Sequence, residues 1–363
     1  MSETYEAACW LALLGASEVK RAQAKQVIYR WCVEQGQPLG ALFAANQMQA
    51  QEALELGAAQ VAPVLAARKY VAAQEALLRD LEREGVHLLL RTDAAYPEAL
   101  TERLAEERLP YFFCYQGDPA MLTQPTVGVF GAAQPAVEAQ EAARELAREL
   151  AVNGYTLVGG YGRGVDRLAF DEAILAGGHA AAILPLGLRQ FEHRRALKSA
   201  VEAGRALLLS PYAPDTPFQE PLAAARLALA LALPECLALA APDARPSEAP
   251  WAEFVASRRR ALIWSGGEQT PTNDAWTQAG AWPYGDPATA LKLAAEVWGA
   301  APNGVEDIAL DDAPLYESDD DHTPIAFADA DQAIEALGRL GKVPPALAKR
   351  LRESRWPGGD DPD

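Results

Sequence analysis

The sequence predicts a doubly wound, mostly parallel α/β protein, preceded by a helical module and followed by a small acidic helical segment. Three observations predict it. Between residues 126 and 240, apolar runs of strand length alternate with amphipathic stretches of helical length, the βαβ order that builds a parallel sheet. Residues 1–84 show helical periodicity alone. And residues 154–175 run from a short apolar strand into a helix through Gly159, Gly160, Gly162 and Gly164, the kind of turn at which such sheets bind ligands.

The elements follow in order. Residues 5–14 are apolar and stop at Gly15, and 22–34 is amphipathic through Ala24, Val27, Ile28 and Trp31, stopping at Gly36. Helices over 39–43, 47–56 and 66–84 complete the module, the last spaced by Tyr70, Leu77, Leu78 and Leu81. At Gly85 the period changes. A strand is expected at 86–90, a turn around Tyr96-Pro97, a short helix through Leu100 and Leu104, and a strand at 109–115 closed by Gly117-Asp118-Pro119. Further strands are expected at 127–130, 156–158, 180–184, 206–209, 236–240 and 261–264. Helices are expected at 136–153, 166–176, 194–202, 220–232, 251–260, 273–279 and 289–297. The end of 251–260 carries Arg258, Arg259 and Arg260, which suit the negative end of a helix dipole. After residue 298 the chain is acidic and punctuated by Pro and Gly. Glu317-Ser-Asp-Asp-Asp-His322 reads as a solvated charge run, 328–340 and 345–352 as helices, and 358–363 as a disordered tail. The expected division is 1–84, 85–300 and 301–363.

Composition bounds the function. The 363 residues are enough for two or three domains. Fifty Asp and Glu against 32 Lys and Arg give a net charge of −18, which argues against broad nonspecific affinity for nucleic acid. The charge is uneven. Residues 301–363 hold 15 acidic and 6 basic residues, whereas 121–240 hold 12 and 10. Within that near-neutral stretch Arg163, Arg167, Arg189, His193, Arg194, Arg195 and Lys198 form a local basic cluster. The cysteines, Cys9, Cys32, Cys114 and Cys236, have no metal-site spacing and read as reduced, buried thiols of a cytoplasmic protein. With only four His, a His-based metal site is not expected. Neither a membrane span nor the basic region of a signal peptide is visible in the sequence.

The glycine-rich turn carries the chemistry. Backbone N–H groups in such a turn approach an anion closely, the helix N-terminus adds its positive end, and Arg163 can add a charge-assisted contact. The other reading of the same glycines is a tight turn that lets helix and strand pack closely. The pattern is neither a P-loop, which needs Gly-Lys-Ser/Thr, nor a full dinucleotide fingerprint. No Ser-His-Asp, Cys-His or metal constellation appears, and Asp166 in a first helical turn reads as a cap rather than a base. An enzyme is not expected.

The order of these motifs over roughly residues 1–298 resembles the DprA/Smf family, whose members bind single-stranded DNA in natural transformation and recombination and load the RecA recombinase. Ala95-Tyr-Pro-Glu-Ala-Leu100 is similar to the family's Tyr-Pro-x-x-Leu, and residues 109–117 to its Pro-x-x-Leu-x-x-x-Gly. Gly160, Arg163, Gly164 and Asp166 match its Ser-Gly-x-Ala-Arg-Gly-Ile-Asp. Asn273 with Ala279-Gly-Ala281 resembles its closing Asn-x-Leu-Ile-x-x-Gly-Ala. The resemblance implies a Rossmann-like sheet with a SAM-like helical domain in front. Departures fall at the binding motifs. The family's Gly-Ser-Arg is Gly131-Ala132-Ala133, with Ala136 replacing a second Ser. The His of Asp-x-x-Ala-His is Phe170, and the Tyr-Pro of the next loop is Phe191-Glu192. Phe-Pro-x-Arg-Asn-Arg reads 220–226 with one arginine, Arg226, out of register, and Arg245-Pro-Ser-Glu248 replaces Ser-Gly. No winged-helix pattern follows residue 300. Each Arg-to-Ala replacement removes a contact of about 1.5–3 kcal/mol.

On this resemblance the protein is a non-catalytic binder of single-stranded DNA with no cofactor, forming a homodimer and partnering a RecA-type recombinase. Phosphates would lie on Gly131, Gly160, Gly162, Arg163, Gly164, Asp166 and Asn273. Arg189, Arg194, Arg195 and Lys198 would form the basic rim, and Phe191 would stack on a base. Two alternatives remain open: a diverged sensor of a nucleotide or nucleotide-derived signal, and a structural partner protein in a defence setting.

Overall fold

The computed structural model describes residues 3–192, 195–267 and 269–298, all within one compact unit. His193, Arg194, the charge run at 317–322, the helices expected at 328–340 and 345–352 and the tail lie outside the described residues.

Six helices come first: α1 (Glu3–Gly15), α2 (Arg21–Ile28), α3 (Leu39–Ala44), α4 (Gln47–Leu54), α5 (Ala58–Ala66) and α6 (Val71–Arg83). They close over Trp10, Leu13, Ile28, Leu39, Leu42 and Leu54, all fully buried. α2 continues as a π-helical turn over Tyr29–Glu34. The helix expected from residue 66 starts eight residues earlier, as α5, and tightens to a 3₁₀ turn over Ala67–Tyr70 before α6. Pro63 inside α5 hid it, because proline removes a helix hydrogen bond and reads as a breaker.

Among the described residues the strands make one nine-stranded sheet in the order β1-β2-β6-β5-β4-β3-β7-β8-β9. β1 (His87–Leu90) and β2 (Phe112–Gln116) are antiparallel. β3 (Thr126–Gly131), β4 (Thr156–Gly159), β5 (His179–Ile183), β6 (Ala206–Ser210), β7 (Cys236–Ala240), β8 (Arg260–Trp264) and β9 (Trp282–Tyr284) run parallel. The predicted doubly wound, mostly parallel, Rossmann-like sheet is the fold. Every residue of β4, β6 and β7 is buried, which is why these strands read as unbroken apolar runs rather than alternating ones.

The remaining helices are α7 (Glu98–Arg103), α8 (Val137–Val152), α9 (Val165–Leu175), α10 (Arg195–Glu202), α11 (Glu220–Ala232), α12 (Trp251–Ala256), α13 (Pro271–Gln278) and α14 (Pro287–Trp298). The chain winds from β3 through β4 and β5 to β6, then returns past β3 to β7. Right-handed crossovers therefore put α8 and α9 on one face and α11 on the other. α14 packs back on α8, while α11 packs against α7 and α12. The reversal at β3 is the point outside whose carboxyl end open α/β sheets bind ligands.

The helix expected at 251–260 ends at Ala256, because Arg258 takes φ +56° and Arg260 already opens β8. Its arginines therefore do not serve their own helix. Arg259 reaches the carbonyls of Leu231 (2.9 Å) and Pro234 (2.7 Å) at the end of α11. Arg103 joins it there on Ala232 (2.8 Å) and pairs with Glu235. β9 went unseen because it is three residues long and contains Pro283, which an edge strand tolerates. All four cysteines are buried, and burial pushes the Cys9, Cys114 and Cys236 thiols up to about 12, so they are poor nucleophiles.

Removing Arg259 takes the guanidinium donor from the Leu231 carbonyl and leaves Pro234 to Arg103 alone, a loss of about 1–3 kcal/mol. Arg259→Ala is expected to lower the urea midpoint accordingly, with the unfolding slope unchanged.

Candidate nucleic-acid interface

The glycine turn is built by close approaches. Gly164 has φ +78°, and a Cβ there would lie 2.1 Å from the Ala132 carbonyl oxygen, so only glycine fits. Its neighbour Val165 donates its N–H to that same carbonyl at 3.1 Å, which holds the β4–α9 turn against the β3–α8 turn. Gly131 is equally confined, since a Cβ would fall 2.0 Å from the Ala240 carbonyl oxygen. These two glycines serve packing between turns and strands.

Asp166, in the first turn of α9, folds back over the loop. Its Oδ2 accepts the N–H groups of Gly160 (3.2 Å) and Gly162 (3.3 Å). From the opposite face, α11 sends Arg226 to the same spot, with Nη1 at 3.8 Å from Oδ2. A Cβ on Gly160 would lie 1.2 Å from that nitrogen, so the absence of a side chain at 160 makes room for the guanidinium. The side chains are 12% and 11% exposed, and Asp166 Oδ1 and Arg226 Nε and Nη1 are buried without a hydrogen-bond partner. Burial raises the Asp166 carboxyl, opposed by Arg226 and the two N–H groups. Burial lowers the Arg226 guanidinium, opposed by Asp166 and Tyr212.

At the next turn, the N–H of Ala133 donates to Asp243 Oδ2 at 2.9 Å. Three backbone N–H groups with which this edge could meet an anion are thus taken by carboxyl groups of the chain itself.

Tyr161 turns the other way. With φ +52°, it sets its ring edge-on to Phe170 (5.0 Å between centroids) and to Phe191 (5.7 Å), under the Arg167 guanidinium at 5.2 Å. Phe170, where the resemblance leads one to expect His, is buried and acts as an apolar partner of Tyr161. Arg163, two residues on from Tyr161, and Arg195 and Lys198, on the helix that follows Phe191, are exposed. None of the three side chains has a hydrogen bond or ion pair among the described residues. Arg195 and Lys198 stand three apart on α10, hence on neighbouring parts of one helix surface.

Two residues assigned to the site from the sequence are placed elsewhere. Arg189 is engaged, binding Glu84 through two bonds (2.7 and 2.8 Å) and lying 3.5 Å from Asp215; the Arg189 hydrogen bonds hold the Glu84 carboxyl below its usual range. Asn273 is buried in the first turn of α13, where its N–H and Oδ1 both bond the Thr270 hydroxyl. α13 follows β8, three strands from β4. Arg194 lies outside the described residues. Tyr161 and Asp243 were not singled out by sequence reasoning; a lone aromatic among four glycines was the available signal for the first.

Fold and turn define a Rossmann-like α/β protein whose carboxyl edge carries a glycine loop distinct from a P-loop. Residues 87–245 match the family model described as DNA recombination-mediator protein A. The resemblance to the DprA/Smf family is thereby shown, carried by that central stretch. Among solved structures, DNA processing protein A (DprA) from Streptococcus pneumoniae is similar over 80% of this chain and 98% of its own, at 18% identity and a TM-score of 0.57. DNA processing protein A from Helicobacter pylori, described by its single-stranded DNA binding mode, overlaps 58% of this chain and 96% of its own, at 21% identity and a TM-score of 0.47. The molybdenum cofactor carrier protein of Chlamydomonas reinhardtii overlaps 48% and 98%, at 22% and 0.36. The first shares the fold; the looser overlap of the other two adds nothing to that. No curated protein matches the chain in sequence.

Gly160→Ala drives a methyl into Arg226 and is expected to destabilise by about 1–3 kcal/mol, read by urea unfolding. Because the folded state raises the Asp166 carboxyl, the stability it contributes is full below its unfolded value. That contribution is lost as pH rises through the folded one. The stability of wild type minus that of Asp166→Asn is therefore expected to fall with rising pH; a rise would contradict the assignment.

Proposed function

We propose that this protein binds single-stranded DNA without catalysis, along an aromatic and cationic rim at the carboxyl edge of its sheet. The observation that carries the reading is the Tyr161–Phe191 ring contact, together with exposed Arg163 in the same turn as Tyr161 and exposed Arg195 and Lys198 on the helix that follows Phe191. Single strands are held by such a combination, cations tracking phosphates and aromatic faces stacking on bases, each stack worth about 1–3 kcal/mol. An acidic chain can do this locally, because association is governed by the field at the site rather than by the net charge of −18.

The family resemblance supports placing this binding in DNA uptake and recombination, where the protein would load a RecA-type recombinase as a cytoplasmic homodimer. In this reading residues 1–84 form a helical domain, 85–300 the DNA-binding domain and 301–363 an acidic appendage. Among the described residues there is no group of three or more metal-ligating side chains, and no helix is long and apolar enough to cross a membrane. The filled N–H positions of the glycine loop weigh against a sensor of nucleotide phosphates.

Fluorescence anisotropy with labelled oligothymidylate tests the reading. Affinity is expected to fall as salt rises, with a logarithmic slope of about −0.7 per phosphate neutralised. Arg163→Ala, Arg195→Ala and Lys198→Ala are each expected to weaken binding about tenfold and flatten that slope. Phe191→Ala is expected to weaken binding while leaving the slope intact. No binding at low salt would overturn the reading.

A further inference from the structure

We propose that Asp166 and Asp243 are specificity-determining residues that keep phosphate out of the backbone anion positions at the carboxyl edge of the sheet. The proposal rests on the reading above for the ligand, and on the hydrogen bonds of this chain for the mechanism.

A glycine turn entering a helix ordinarily presents free N–H groups to a phosphate oxygen. Here Asp166 Oδ2 stands on the N–H groups of Gly160 and Gly162, with the Arg226 guanidinium beside it. Asp243 Oδ2 stands on the N–H of Ala133. The two turns adjoin, since Gly164 lies against the carbonyls of Ala132 and Ala133. Together they make one stretch of edge in which the N–H groups of Gly160, Gly162 and Ala133 are satisfied from within. An incoming phosphate would have to displace an oxygen already in place and accept a like charge next to it. The cation nearest this stretch, Arg226, lies over Gly160, largely buried and 3.8 Å from the Asp166 carboxyl, whose charge it already faces. The exposed side chains of Arg163, Arg195 and Lys198 have no such occupant among the described residues. The strand is therefore sorted. Its phosphates go to the rim, and small phosphate ligands that need the inner donors are refused.

Both arms of the test use the full chain. In the first, inorganic pyrophosphate is titrated by calorimetry into wild type, Asp166→Ala, Asp243→Ala and the double variant, each checked for cooperative unfolding. Wild type is expected to take up no pyrophosphate in the millimolar range, and the double variant to bind at least about tenfold more tightly. Should Asp166→Ala fail to fold, Asp166→Asn keeps an acceptor oxygen and removes the charge. Combined with Asp243→Ala it is expected to gain in the same direction by a smaller factor. Folded variants that bind pyrophosphate no better than wild type would overturn the proposal. In the second arm, oligothymidylate is titrated into wild type and the Arg163→Ala, Arg195→Ala, Lys198→Ala triple variant. Equal affinity there would overturn the rim reading and leave the pyrophosphate result to decide this proposal by itself.

Discussion

A carboxyl group from α9 and a guanidinium from α11 meet over a glycine at the end of β4, and the carboxyl edge is arranged around that contact. The two helices lie on opposite faces of the sheet, so the Asp166–Arg226 pair joins both layers at one strand end. Its demands explain the neighbouring sequence. Gly160 has no side chain because the guanidinium occupies that space, and Gly164 turns at positive φ so that α9 can start beneath Ala132. A buried pair with so few additional hydrogen bonds is weak support for stability. Its consequence here is geometric: Gly160 and Gly162 give their N–H groups to Asp166, while Tyr161 between them takes φ +52° and packs its ring against Phe170 and Phe191.

The helical module is tied to the sheet by charges that sequence reasoning assigned to the ligand or passed over. Arg189 bridges to Glu84 just after α6. Arg91 pairs with Glu106 and stacks on Tyr29 and Tyr111, while the Lys25 ammonium lies over the Tyr111 ring at 5.1 Å. Trp10 of α1 packs near the same tyrosine, 6.3 Å between centroids. These cations are committed to holding one compact unit together. That separates them physically from Arg163, Arg195 and Lys198, although in the sequence all of them look alike.

Much of the fold was legible because its signals are local. Alternating runs of strand and helix length from residue 126 onward gave the parallel sheet, and the glycines of 159–164 gave the turn. What was illegible depended on partners distant in sequence. Nothing near Arg259 reveals that it caps α11, nothing near Asp243 reveals Ala133, and nothing near Arg189 reveals Glu84. The candidate site suffered most from this. A glycine-rich turn reads as open to anions until the residue six places on from Gly160 is seen folded back over it.

Ligand phosphates are predicted to meet the rim and not the inner donors. Backbone amide chemical shifts during an oligothymidylate titration test it most directly. Resonances of Arg163, Phe191, Arg195 and Lys198 are predicted to move, while the Gly160, Gly162 and Ala133 amides stay in place. Large shifts at those three amides with a silent rim would contradict it.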